Sequence, residues 1–331
     1  MPTPKVSVIV CGHNEEKLLS RCMSSILAQT LSDIEIILVD DASTDSTLKI
    51  MREYESKDPE RIIVIHSEKN LKLGGARNLA LKVAKGEYIG FVDCDDWIEN
   101  EMYEELYKKA VETNSELCYC LRNMITEDGR TLKDDTPYFF KEGLVDEQSR
   151  KEMIAHYSVF VQRYIYRRDI FVKQNIYFPE HVLFEDSMID PLYIPNVSRI
   201  ATVRKPMYNY LLRSTSIVHK KNAEKYHDMI TVCAAIIKEY KTRGLYEKYK
   251  NEINFVYFRR AYISCMMTYL QNVKKPKTGN IREIITAMLT IDPNYRKNPY
   301  FKAKRSYIIK DFICRSPLLL RLLKFIYPRV R

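Results

Sequence analysis

The sequence predicts an α/β fold: a mostly parallel central sheet with helices on both faces, followed by a helical C-terminal region. Three observations carry this. Between residues 5 and 113, short β-branched runs alternate with segments of helical period. Each run is closed by a polar cluster: His13–Glu16, Asp40–Asp41, His66–Asn70 and Asp93–Asp96. Beyond about residue 220 the apolar positions keep a three-to-four spacing.

The elements follow in order. KVSVIV (5–10) is a buried strand by composition. Leu18, Leu19, Cys22, Ile26 and Leu27 repeat at helical spacing within 16–29. IEIILVD (34–40) is a second strand, and Ser43 and Asp45 are N-cap candidates for the helix TLKIMREY. IIVIH (62–66) is a third strand, LGGARNLALKVAKG (73–86) a helix ending at Gly86, and EYIGFVD (87–93) a fourth strand. ELCYCL (116–121) reads as a strand, EDGR (127–130) as a turn, and 147–156 and 167–174 as short helices. HVLFEDSMIDPLYI (181–194) is apolar but interrupted by acids, and ATVRKPMYNYLLR (201–213) predicts two short strands around Pro206. Tyr226, Met229, Ile230, Cys233, Ile237 and Tyr240 define a helix stopped by Gly244, and another helix covers about 252–272. In SPLLLRLLKFIYPRVR, Ser316 and Pro317 stand at a helix start. Leu319, Leu322, Leu323 and Ile326 share one face there, while Arg321 and Lys324 lie on another.

Composition narrows the function. The chain has 331 residues, 46% of them hydrophobic, enough for one large domain and a smaller one. No run of 18 or more uncharged apolar residues predicts a membrane span, and the N-terminus lacks the pattern of a signal peptide. The expected location is the cytoplasm. Eight scattered cysteines form no C-x-x-C and no zinc-ligand spacing, so they read as buried reduced thiols. The net charge is +10, but residues 301–331 hold nine Lys/Arg against the single acid Asp311. The basic excess is a property of the tail, and no nucleic-acid partner is expected.

The stretch FVDCDDW (91–97) concentrates three carboxylates, Asp93, Asp95 and Asp96, at a predicted strand end. Like charges repel there. Asp96 could cap a following helix, and the run could simply be solvated. The third reading is a divalent cation. Asp-x-Asp puts two carboxylates on one side of an extended chain, and Mg²⁺ or Mn²⁺ takes one or two carboxylates plus phosphate oxygens and water. On that reading the free cluster is strained until a cation and nucleotide arrive. No phosphate-binding G-x-x-x-x-G-K-[ST] is present, and CGHNEE in the first strand–helix turn has no G-x-G-x-x-G.

VSVIVCGHNEEKLLSRCMSSILAQTLSDIEIILVDDASTDST, followed by GGARNLALKVAKGEYIGFVDCDDW, resembles the nucleotide-sugar-binding half of family 2 glycosyltransferases. Their fold is GT-A, a Rossmann-like sheet with helices on both faces. The resemblance is close over 5–113 and looser to about 216. It implies a nucleotide-sugar-binding and catalytic domain over 1–218 and a helical region over 219–331. Asp93-Cys94-Asp95 is similar to the family's D-x-D, with Asp95 the direct metal ligand and Asp93 nearer ribose or sugar. Asp41 resembles the carboxylate that contacts uracil, Glu15 a residue lining the base and ribose pocket, and Arg77 a basic residue facing the donor. His13 stands where tyrosine is common, and Ala42 where glycine is common.

FEDSM (184–188) has a plain reading, with Asp186 capping the segment from Ser187. The resemblance implies instead that Asp186 is the catalytic base and Glu185 its supporting acid. In YNYLLRSTSIVHK (208–220), similar enzymes place Arg213, Ser214, Thr215 and Ser216 over the diphosphate; His219 is a candidate for phosphate or metal. The implied activity is inverting transfer of a sugar, from a UDP-sugar with Mn²⁺ or Mg²⁺, to a hydroxyl of a glycan or lipid-linked acceptor. The implied setting is bacterial cell-surface polysaccharide synthesis. The basic amphipathic tail suits an anionic inner leaflet, or packs on its own domain. An inactive scaffold of the same fold and a sugar nucleotidyltransferase are the rival classes.

Overall fold

The computed structural model describes residues 3–132, 142–157, 160–213, 225–273 and 277–316. Two compact units make up the chain: Met1–Arg150 with Ser158–Ser216, and Lys151–Tyr157 with Ile217–Arg331.

In the first unit the elements run β1 (Val6–Gly12), α1 (Leu19–Leu27), β2 (Ile34–Asp41), α2 (Thr47–Lys57), β3 (Ile62–Ser67), α3 (Lys72–Val83) and β4 (Tyr88–Asp93). Then come β5 (Trp97–Ile98), α4 (Met102–Thr113), β6 (Leu117–Thr126), β7 (Thr131–Leu132), β8 (Gly143–Leu144), β9 (Tyr164–Arg167) and β10 (Arg199–Leu212). The sheet order is β3-β2-β1-β4-β9-β6-β10-β5, with β7 on β6 and β8 on β10. β1, β2, β3 and β4 pair in parallel, as do β6 and β10; β9 is inserted antiparallel between β4 and β6.

Every residue of β1 and β2 is buried, which is why these strands are largely apolar; their internal polar residues, Ser7 and Glu35, hydrogen-bond to each other. Register then gathers the strand-end clusters. Gly12 is opposite Asp40, Asp40 opposite His66, and Cys11 opposite Asp93. Ligands on parallel sheets sit outside such carboxyl ends.

Four local expectations change. α3 ends at Val83, and Gly86 serves a different purpose: a Cβ there would lie 2.4 Å from the Ser7 nitrogen, so close strand approach demands glycine. The segment around Pro206 is one irregular strand, β10, with register shifts on either side of the proline. The second C-terminal helix begins earlier, at Tyr246, and runs through a π-helical stretch, Phe258–Ser264, into Cys265–Asn272. Ser43 caps nothing, whereas Asp45 accepts from the Thr47 N–H at 2.9 Å and satisfies the start of α2. All eight cysteines are free and buried.

The second unit packs the helices Lys225–Thr242, Tyr246–Tyr257, Cys265–Asn272, Thr278–Ile291 and Arg305–Arg315. Phe258 stacks on Tyr295 and meets Phe301 edge-on in its core. The buried Asp311 accepts from the Tyr262 hydroxyl at 3.0 Å and pairs with Arg296 at 2.7 Å. No helix among the described residues is long and apolar enough to cross a membrane.

Candidate active site

The site forms where β1, β2 and β4 end. Asp93, Asp95 and Asp96 present carboxylate oxygens within 4.8 Å of one another. Part of their charge is answered by the protein. Arg77 Nη2 donates to Asp93 Oδ1 at 2.8 Å, and Gln162 Nε2 donates to Oδ2 at 2.6 Å. Arg213 Nη2 lies 2.6 Å from Asp95 Oδ2. Asp96 accepts from the Tyr208 hydroxyl at 2.6 Å and the Leu211 N–H at 2.8 Å. Asp96 therefore caps no helix; fully buried, it ties β4 to β10.

Repulsion is reduced rather than abolished. Burial and the neighbouring Asp93 push Asp95 up to about 6, against the pull of Arg213. Burial, then Asp95 and Asp93, also raise Asp96. Cys94, the small residue between the two D-x-D acids, packs its thiol 3.2 Å from the Cys11 carbonyl oxygen. A Cβ on Gly12 would reach 2.7 Å from that sulfur, so the strand end has room only for glycine.

Arg77 is 2% exposed and bridges two acids. Its Nη1 donates to Glu185 Oε1 at 2.8 Å while Nη2 holds Asp93. Burial works against the Arg77 charge, but Asp93 and Glu185 more than offset it and its pKa is raised. Burial raises Glu185 despite Arg77. Such a buried guanidinium is costly to remove, about 3–5 kcal/mol, because two acids would be left unpaired. Glu185 opens a single 3₁₀ turn, Glu185–Met188, entered through Phe184 at φ 65°. A left-handed aromatic residue is a strained entry to a turn. Next to it Asp186 is half-buried and accepts from the Ser187 hydroxyl at 3.4 Å.

The opposite side of the site is built by β1, β2 and the start of α3. Asp41 Oδ1 accepts from the Leu71 N–H at 2.7 Å, and burial raises its pKa. His13 Nδ1 is 2.7 Å from the Asp41 carbonyl oxygen, which fixes the Nδ1–H tautomer. Ala42 has φ 58°, which explains why glycine suits that position. Glu15 receives both Arg213 Nη groups, at 2.9 and 3.1 Å.

Of the residues singled out in the sequence, Glu15, Asp41, Arg77, Asp93, Asp95, Glu185, Asp186 and Arg213 fall in this one unit; Arg77 pairs with Asp93 and Glu185, and Arg213 pairs with Glu15 and Asp95. Ser214, Thr215, Ser216 and His219 lie outside the described residues. Two participants carried no sequence signal: Gln162, and Tyr208, which lies in a quoted segment but gained its meaning only through Asp96.

A mixed sheet with carboxylates gathered at the parallel strand ends defines a GT-A transferase. The chain belongs to glycosyltransferase family 2, whose profile matches residues 7–172. It is 31% identical over 297 residues to the uncharacterized glycosyltransferase EpsJ of Bacillus subtilis, spanning 87% of this chain and 84% of EpsJ. Its fold is that of S. aureus TarS 1–349, solved with UDP-GlcNAc, at TM-score 0.62 and 24% identity over 90% of this chain and 91% of that one. The mannosyltransferase PcManGT of Pyrobaculum calidifontis, solved with GDP-Man and Mn²⁺, aligns at TM-score 0.57 and 14% identity over 99% and 88% of the two chains.

Proposed function

We propose that this chain is an inverting, metal-dependent glycosyltransferase that moves a sugar from a nucleoside diphosphate, UDP by preference, to a hydroxyl of a glycan or lipid-linked acceptor. The setting is bacterial cell-surface polysaccharide synthesis. One observation carries the reading: the Arg77 guanidinium ties the D-x-D acid Asp93 to the Glu185–Asp186 pair.

The donor set is all hard oxygen, which fits Mg²⁺ or Mn²⁺ completed by phosphate oxygens and water. Asp95 would hold the ion, with Asp93 beside it. When bound, such an ion offsets the negative charge that builds on a departing diphosphate. Asp41 and Glu15 line the nucleoside pocket, and Arg213 meets the diphosphate, a role that the family resemblance also implies for Ser214, Thr215 and Ser216. Glu185 is anchored by Arg77, and the half-buried Asp186 beside it is the base that the family resemblance implies. Asp186 takes the proton of the acceptor hydroxyl. The acceptor oxygen bonds to the anomeric carbon as the opposite bond to the diphosphate breaks, through an oxocarbenium-like transition state. The configuration inverts. The protein acts on the cytoplasmic side, and its C-terminal tail holds it at an anionic membrane surface.

General-base assistance is worth roughly 10²–10⁴-fold in rate. Asp186→Asn is expected to lower turnover by about that factor while binding UDP like the wild type. A folded Asp186→Asn protein that no longer binds UDP contradicts the base assignment.

A further inference from the structure

Asp93 is held at both carboxylate oxygens, by Arg77 at 2.8 Å and Gln162 at 2.6 Å. The orientation of the Gln162 amide is settled by chemistry. A carboxylate only accepts, so the nitrogen faces Asp93 and the oxygen faces away from that bond. Gln162 is 6% exposed, and its Oε1 has no hydrogen-bond partner among the described residues. A buried acceptor left without a donor costs about 1–3 kcal/mol. A donor arriving with a ligand would remove that cost.

The surroundings say what kind of ligand. Gln162 lies in the single turn Val161–Arg163, which leads directly into β9. β9 pairs with β4, the strand that ends in Asp93, so the amide is fixed relative to the D-x-D acids. Asp93 and Gln162 Oε1 together make an acceptor-rich wall. A diphosphate, itself all acceptors, is repelled by such a wall, whereas a sugar hydroxyl is matched to it. Arg77 then links this wall to the Glu185–Asp186 pair, on the reacting side of the site.

We infer that Gln162 is a specificity-determining residue of the donor site, accepting through Oε1 a hydroxyl of the transferred sugar while Nε2 holds Asp93. The inference rests on the glycosyltransferase reading. It explains an unsatisfied buried atom that packing alone leaves unexplained.

Calorimetric titration with Mn²⁺ present tests it. The wild type is titrated with UDP and GDP, then with UDP-glucose, UDP-galactose, UDP-GlcNAc and GDP-mannose. The expected result is that one nucleotide sugar binds more tightly than its bare diphosphate. Gln162→Met is then expected to lose roughly 5- to 100-fold for that nucleotide sugar and to weaken the bare diphosphate by a clearly smaller factor. Equal weakening of both ligands overturns the inference, because Gln162 would then only prop Asp93 or meet the ribose. Unchanged binding of both overturns it too, as does a wild type that gains nothing from any sugar. A wild type that binds no nucleoside diphosphate overturns the glycosyltransferase reading itself. If Gln162→Met does not fold, Gln162→Asn, one methylene short of spanning both contacts, makes the same comparison.

Discussion

Arg213 stands where a cation is wanted. Its guanidinium takes both oxygens of Glu15 and lies 2.6 Å from Asp95, so in the free protein it answers the charge that a metal would answer. A metal at Asp95 would compete with Arg213 for the same carboxylate. Partly exposed ion pairs of this kind contribute up to about 1 kcal/mol. Arg213→Ala is therefore expected to bind Mn²⁺ alone about fivefold more tightly than the wild type, yet to bind UDP with Mn²⁺ more weakly. Weaker Mn²⁺ binding in the absence of nucleotide would contradict the competition. Asp93 and Asp95 stood out in the sequence as acids crowded at a strand end, whereas Glu15, Arg77 and Arg213 were named only through the family resemblance. Gln162 was not legible at all. A lone glutamine has neither period nor motif, and only the antiparallel insertion of β9 brings it to Asp93. The role of Asp96 was also hidden, since its partners come from residues 208 and 211, more than a hundred positions away.

At the scale of elements, the helix that follows the Glu185 turn carries a buried acid of its own. Asp190, in Ile189–Tyr193, is 1% exposed; its Oδ1 accepts from the Tyr166 hydroxyl at 2.9 Å, and its Oδ2 has no partner among the described residues. Burial lifts its carboxyl to about 7, against the pull of Tyr166 and Arg163. The folded protein keeps this proton where the unfolded chain has released it. The resulting stabilisation is complete below the unfolded pKa of about 4 and is lost as pH rises to about 7. Between these limits, the wild type should lose stability relative to Asp190→Asn by on the order of 1 kcal/mol per pH unit. Urea unfolding of both proteins across that range reads the difference directly, and parallel profiles would contradict it. The parallel strands β1 to β4 were legible because they are rich in buried β-branched and apolar residues. β9 was not, because YIYR is too short to show a period. β10 was split in the reading because its central proline interrupts the register without ending the strand.

At the scale of the molecule, Asp93, Asp95, Glu185 and Asp186 fall in one unit and the basic excess in the other. The tail beyond residue 316 lies outside the described residues, but the helix leading to it is informative. On Arg305–Arg315, Ile308, Ile309 and Phe312 are 46%, 51% and 66% exposed, while the one acid of the segment, Asp311, is buried and paired. What this segment shows to solvent is apolar and cationic. Full-length protein should sediment with anionic liposomes and not with neutral ones, and a chain ending at Ser316 should bind them less. Equal sedimentation of the two lengths would remove the tail from the membrane account. The parallel part of the sheet was readable from alternation and period. The ion-pair bridge from Asp93 through Arg77 to Glu185 was not, because it joins segments separated by about a hundred residues.

The central claim is that the acid cluster holds a nucleoside diphosphate through a divalent cation. Calorimetric titration of UDP into the wild-type protein, with and without Mn²⁺, tests it most directly. The account predicts binding that depends on the metal. Silence toward UDP, GDP and dTDP in both conditions would contradict it.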